Sequence, residues 1–180
     1  MRTQMRHVVS PVTVVTAGSA DRALGITIGS FASTALTPPL ISFNLSHGAR
    51  MFEILPFEET FIVHVLAGDQ SALSERFAVP DMPGPVQFAE VEHFVHDTGT
   101  PVLVGAVTVL LCRVYSIFPA GDHSLVVGRV TAVLDENPKE PLIYYNQHYR
   151  MVGAEVRARG ASEEIVDGTP NAPNPKNAKS

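Results

Sequence analysis

Apolar and β-branched residues fall in short runs along this chain, and most runs end in turn-forming residues. Val12-Thr13-Val14-Val15-Thr16 is β-branched throughout, Ala17-Gly18-Ser19-Ala20-Asp21 supplies a turn, and Leu24-Gly25-Ile26-Thr27-Ile28 resumes the pattern. Together they predict a hairpin. Residues 40–45 predict a strand entered through Pro38 and Pro39, because proline cannot sit inside a ladder. Residues 60–66 alternate only loosely and predict another. Two long runs, 102–118 and 125–134, flank the turn cluster Pro119-Ala120-Gly121-Asp122-His123 and predict an antiparallel pair. Helical spacing is scarce. Residues 49–55 place Phe52 and Leu55 three apart, with Met51 on the adjoining edge. Residues 71–78 place Leu73 and Phe77 four apart, with Ser71 and Ser74 as start caps. Six or more strands against two short helices favour a closed or partly closed antiparallel β-barrel over a parallel βαβ sheet.

Composition shifts mark the boundaries. Residues 80–101 collect three early prolines with acidic and histidine residues, which predicts a long surface excursion. From residue 160 onward Ser, Glu, Asn, Pro and Lys dominate, and 171–180 lack any large apolar residue. One domain over 6–159 and a disordered tail over 160–180 are expected.

At 180 residues, with 45% apolar and 17% charged, the chain is long enough to bury a core without disulfides or metals. A net charge of −5 argues against capturing nucleic acid through overall charge. The single Cys112 leaves no intramolecular disulfide and no multi-cysteine metal site, and it reads as a packed apolar residue rather than a reactive thiol. The longest apolar run, 102–111, is broken by Gly105 and Thr108 and is too short for a membrane span. Residues 1–10 hold Arg2, Arg6 and His7 but no apolar signal core, so a cytoplasmic location is expected.

The usual phosphate loops are missing: no G-x-G-x-x-G follows a strand into a helix, and no P-loop occurs. A G-x-S-x-G hydrolase elbow and an H-E-x-x-H zinc helix are also absent. His93 and His96 lack a second pair of ligands and read as solvated surface, so no metal site is expected. The informative stretch is residues 25–40, where Thr27, Ser30, Ser33, Thr34 and Thr37 crowd a strand-like segment. Buried hydroxyls cost free energy unless bonded. They suit the polar edge of a flat heterocycle or a phosphate, or else an edge strand wetted by water. Residue chemistry alone leaves both readings open.

This stretch resembles the opening motif of the flavin reductase-like family, whose domain is an FMN-binding split barrel. Further blocks match in the same order. Residues 40–46 with Arg50 resemble the strand and loop that reach the cofactor phosphate. Residues 61–66 with Gln70, Leu73, Phe77 and Ala78 resemble the strand-plus-helix block. Residues 121–130 resemble the G-D-H strand, and 141–145 with Tyr149 the closing block. The resemblance covers roughly residues 6–152 and implies a mainly β, antiparallel Greek-key split barrel with a few short helices. It implies an NAD(P)H:flavin oxidoreductase that passes hydride from NADH or NADPH to FMN, or to FAD. It also implies a homodimer and a partner monooxygenase supplied with reduced flavin. The same fold also serves oxidases, oxygenases and electron carriers, the alternative reading.

Carried over residue by residue, the resemblance sets Thr27, Ser30 and Ser33 against the isoalloxazine edge and ribityl chain, with backbone N–H groups of Phe31 and Ala32. Asn44, Ser46 and Arg50 would meet the phosphate, Arg50 through a charge-assisted bond. His123 is the candidate catalytic residue, orienting the nicotinamide amide or standing by the flavin N1/O2 edge. With Tyr149 it would wall the substrate pocket. The blander roles are a solvated helix-start cation for Arg50, a backbone-bonded turn histidine for His123 and a core aromatic for Tyr149. Two positions depart from the family. Gly29 stands where a side chain is common, and Met51 where a small hydroxyl is common, which leaves one fewer phosphate donor.

Overall fold

In the computed structural model, which describes residues 2–155, β-branched segments pair as hairpins, and three of the hairpins join with β6 into one curled seven-stranded sheet beside two smaller ones. A short helix α1 (Arg2–Met5) leads to β1 (Ser10–Pro11) and β2 (Thr13–Ala17), which turns through a 3-10 segment (Ala20–Arg22) into β3 (Leu24–Ile28). β4 (Ala32–Leu36) and β5 (Pro39–Ser46) form the next hairpin, followed by α2 (Arg50–Ile54) and β6 (Thr60–Val65). α3 (Ser71–Phe77), α4 (Gly84–Phe88), β7 (His93–Val95) and β8 (Pro101–Leu103) precede the long pair β9 (Thr108–Ala120) and β10 (His123–Glu136). β11 (Leu142–Tyr145) and β12 (His148–Met151) complete the order.

The main sheet runs β3-β2-β6-β9-β10-β5-β4, antiparallel throughout. Strands β6, β9 and β10 are successive neighbours, and β5 lies beside β10, which is a Greek-key arrangement. The fold is mainly β with a few short helices, as expected. Leu24 and Ile28 of β3 share a core with Ile41, Phe43 and Leu45 of β5, although these strands lie near opposite ends of the sheet order. The sheet must therefore curl around that core, as a barrel does. Phe43 and Phe61 are fully buried and meet edge to face at 5.7 Å. Each buried ring contributes about 1.5–3 kcal/mol from area alone, and the pair about 0.5–1.5 kcal/mol more.

Residues 60–66 alternate poorly because β6 is covered on both faces. Phe61 and Val63 face the barrel core, while Ile62 packs with Val102, Ala106 and Val109. A second cluster outside the barrel joins Val12, Val14, Leu66, Phe77, Phe88, Leu103 and Leu142. It seats α3, α4 and the small β1-β11-β12 sheet on the outer face.

Some expectations need correction. Residues 102–118 form two strands, because the chain must leave β7, the partner of β8, to reach β6, the partner of β9. The break passes through Gly105 at φ +80°, a conformation that L side chains rarely adopt. Residues 80–101 are not a surface excursion alone: they hold α4 and β7, and Gln87 and Phe88 are buried. Proline punctuates this stretch without removing its core contacts. No serine side chain caps α3. Its cap position is Gln70, whose Oε1 accepts from the Ala67 N–H at 3.0 Å. The predicted turn narrows to Gly121-Asp122, with Pro119, Ala120 and His123 inside the strands. The expected tail, 160–180, lies outside the described residues.

His64 is a fully buried polar link between elements. Its Nδ1–H donates to the Val14 carbonyl at 3.0 Å, and its Nε2 accepts from the Leu103 N–H at 3.1 Å. That pattern requires the neutral ring, since a protonated Nε2 would face another donor. Burial lowers its pKa to about 4 from 6.5, opposed by the bond to Val14. The unfolded chain thus binds the proton more readily. This contribution is fully present above pH 6.5 and is lost as pH falls toward 4, to a total of about 3 kcal/mol. Urea unfolding across that window should show the loss in the parent. In H64L the step should vanish while stability at pH 8 drops by roughly 1–3 kcal/mol for the orphaned Leu103 N–H. Equal acid dependence in both proteins would refute the assigned ring state.

Candidate functional site

β3 and β5 both line the barrel core, yet they are not laddered to each other. The seam between them is closed at one point, where the Asn44 N–H donates to Ser30 Oγ at 2.8 Å. Beside this tie the seam opens into a cavity of about 490 Å³ lined by Ile26, Thr27, Ile28, Gly29, Ser30, Asn44, Ser46, Ala120 and His123. Register explains the convergence. Pairing of β5 with β10 sets Ser46 opposite His123 and Asn44 opposite Leu125. The rim thus combines hydroxyl, amide and imidazole groups over an apolar strand.

A second cavity of about 320 Å³ shares Ile26 and Ser46 with the first. Its walls include Gly48, Ala49, Arg50, Asp81, Met82 and Gln87. Arg50 Nη1 donates to the Met82 carbonyl at 2.8 Å, which holds the guanidinium against the 82–87 segment. Ser46 Oγ accepts from the Gly48 N–H at 3.3 Å and tightens the loop before α2. Both volumes fall in the range of small-molecule sites, about 300–1,000 Å³. One polar seam for a flat ring, adjoining one compartment with a guanidinium for an anionic tail, fits the FMN that the sequence resemblance implies.

His123 stands at the mouth with its Nδ1 at 2.6 Å from Asp122 Oδ1. A carboxylate only accepts, so Nδ1 carries the hydrogen and Nε2 is left free. The hydrogen bond from His123 holds the Asp122 carboxyl below its ordinary pKa. His47 lies close by. Its N–H donates to the Asp122 carbonyl at 3.1 Å, its Nε2 meets Ser124 Oγ at 3.0 Å, and its ring leans on Phe52 at 4.7 Å.

Of the sequence-predicted residues, the structure brings Thr27, Ser30, Asn44, Ser46 and His123 around the seam, with Ser46 and Arg50 in the adjoining cavity. Two hydroxyls already have partners: Thr27 Oγ1 donates to the Ser74 carbonyl at 2.7 Å, and Ser30 Oγ takes Asn44. Phe31 packs against the barrel core, while Ala32 and Ser33 lie exposed on β4 opposite Ser42 and Ile41. None of the three lines either cavity. Tyr149 is set apart as well. It packs with the outer cluster, meets Tyr144 at 5.5 Å and donates to Ser74 Oγ at 3.0 Å. Met51 is buried at 2% exposure, so its side chain serves the core. Sequence reasoning missed Ala120, Asp81, Met82 and Gln87 among the lining residues. Only Ala120 stood next to a recognised motif. The other three reach the site through a segment that looked like surface loop.

Among the described residues, no group of three or more His, Cys, Asp or Glu is placed to hold a metal ion. None of their helices is long and apolar enough to cross a membrane. Burial pushes the Cys112 thiol up to about 12, which leaves it un-ionised and inert at neutral pH.

Comparison with known proteins adds the relatives of this arrangement. The flavin reductase like domain profile matches residues 5–153. A Rhodococcus qingshengii NADH:FMN oxidoreductase is 37% identical over 153 residues, covering 82% of this chain and 78% of its own. The reductase component of a Thermus thermophilus 4-hydroxyphenylacetate 3-monooxygenase is 36% identical over 141 residues, covering 78% of this chain and 87% of its own. Among solved structures, the Streptomyces globisporus NADH:FAD oxidoreductase SgcE6, in complex with NAD and FAD fragments, superposes with a TM-score of 0.80. It is 28% identical, and the match covers 87% of this chain and 93% of that one.

The seam depends on how closely β3 sits on α3. A Cβ at Gly25 would lie 2.4 Å from Phe77 Cδ1. G25A should therefore cost about 1–3 kcal/mol by overpacking and lower the midpoint of thermal unfolding. An unchanged midpoint would contradict this packing.

Proposed function

The chain belongs to the flavin reductase like family, and on that premise we propose that it is an FMN-dependent flavin oxidoreductase that takes hydride from NADH. The observation that carries the proposal is the β3–β5 seam: a polar-rimmed slot continuous with the only nearby guanidinium, Arg50, among the lining residues of both cavities. The names of the relatives support a reductase over an oxidase, oxygenase or electron carrier.

When bound, FMN supplies the hydride acceptor. The chain's own work is to bind, orient and shield. Ile26 and Ile28 give the ring an apolar wall, and the Ser30–Asn44 tie fixes the width of the slot. Arg50, held by the Met82 carbonyl, would bind the phosphate, with Ser46 at the junction of the two compartments. His123, locked in one tautomer by Asp122, presents Nε2 at the mouth for the nicotinamide carboxamide. FAD is the alternative flavin, for which the same residues would serve. NADPH is the alternative donor.

We place the protein in the cytoplasm as a homodimer serving a partner monooxygenase. The dimer is supported by β9, whose pairing with β6 ends at Arg113 while Tyr115 and Phe118 continue outward at 56% and 53% exposure. The partner is supported by the relative that is itself a reductase component.

Mixed anaerobically with excess FMN and NADH, catalytic amounts of the protein should bleach the flavin's visible absorbance. FMN that stays oxidised with both NADH and NADPH would remove the reductase reading. R50A should raise the KM for FMN by about 10–100-fold, the worth of a charge-assisted hydrogen bond, and should close the difference between FMN and riboflavin. A KM for FMN unmoved by R50A would take Arg50 out of the site.

A further inference from the structure

Gly25 is the point where β3 meets a side chain in place of a strand. Gln87 Oε1 accepts from the Gly25 N–H at 2.9 Å, and Gln87 Nε2 donates to the Gly25 carbonyl at 2.9 Å. One carboxamide thus supplies both bonds that a residue on a neighbouring strand would make. Gln87 is 5% exposed and its helix is itself held. The Arg76 guanidinium donates to the carbonyls of Val86, Gln87 and Ala89 at 2.6–2.7 Å.

Strand geometry shows what this bond leaves open. The register sets Gly25 opposite Thr16 and Thr27 opposite Val14, so the two residues are equivalent in the ladder. Because the Gly25 N–H and C=O point away from β2, those of Thr27 point the same way. The pair at Gly25 is taken by Gln87. The pair at Thr27 faces the seam cavity, which Thr27 lines. Gln87 also lines the Arg50 cavity, alongside Met82, whose carbonyl holds Arg50. The 82–87 segment therefore borders the Arg50 cavity directly and reaches the seam cavity only through its hold on Gly25 of β3.

We propose that Gln87 is a positioning residue for the flavin: it holds the outer edge of β3 so that the backbone of Thr27 meets the ring while Arg50 meets the tail. This rests on the flavin reductase reading above. A purely structural Gln87 would affect folding alone. A positioning Gln87 also sets flavin affinity in the folded protein.

The test is Q87E beside Q87M, with FMN affinity measured by quenching of flavin fluorescence and folding followed by thermal unfolding. At pH 8 the new carboxylate still accepts from the Gly25 N–H but cannot donate to the Gly25 carbonyl. Protonated at pH 5, it regains both bonds. The charged groups around it are Arg76, on the Gln87 carbonyl, and Arg50 and Asp81, in the shared cavity. Relative to the parent at the same pH, the Q87E dissociation constant should rise about tenfold at pH 8, the worth of one lost bond, and return to within about twofold at pH 5. Q87M, which makes neither bond, should stay weak at both. If Q87E fails to fold at pH 8, the comparison of Q87M with the parent decides. Variants that melt earlier yet bind FMN as the parent does would overturn the proposal. A parent that binds no FMN would instead overturn the reading beneath it.

Discussion

The structure turns on one unfinished ladder. β3 pairs with β2 along one edge, and its other edge faces β5 without joining it. An exposed strand edge carries unmade hydrogen bonds, which must be satisfied or guarded. Here the seam is guarded at two points, by the Gln87 carboxamide at Gly25 and by the Ser30 hydroxyl tied to Asn44, and between them the Thr27 backbone is left facing the cavity. The split in the barrel is therefore a built opening, bounded by bonds at both ends.

What surrounds β3 follows from that opening. A strand with one laddered edge has little to fix its position, so the outer cluster supplies the rest. Thr27 Oγ1 donates to the Ser74 carbonyl, and the Tyr149 hydroxyl donates to Ser74 Oγ, which ties β3, α3 and β12 together. Phe77 fills the space that a glycine at position 25 leaves free. His64 performs a similar task deeper in, bridging β2 and β8 across β6. Tyr149 thus shares Ser74 with Thr27 and does not line the seam.

Most of the barrel was legible because its signals are local. β-Branched runs give strands, and Gly121-Asp122 gives a tight turn. The hydroxyl-rich stretch after β3 marked one wall of the site, and the strand from Leu40 to Ser46 the other. What escaped was set by contacts distant in sequence. The 102–118 run reads as one strand because nothing in it announces that its ends belong to different sheets; Gly105 was visible, its positive φ was not. Ala32 and Ser33 share the composition of the site wall, but β4 turns them outward to Ser42 and Ile41. Gln87 lies 62 residues from Gly25, inside a proline-rich stretch whose polar surface suggested a loop. A polar side chain in such a stretch carries no mark of being buried.

Sequence divergence becomes easier to understand on these terms. The seam is built largely from backbone groups, strand register and a gap, and those depend on the fold more than on particular side chains. Hydride chemistry belongs to the bound cofactors, so the protein need not keep a nucleophile or a metal set in place. A relative 28% identical can therefore share the architecture at a TM-score of 0.80. The side chains with tasks that the backbone cannot perform are those that replace a strand or close the seam. In this chain Gln87 stands in for a strand at Gly25 and Ser30 ties the seam to Asn44, each through a bond that most other residues at the same place would not make.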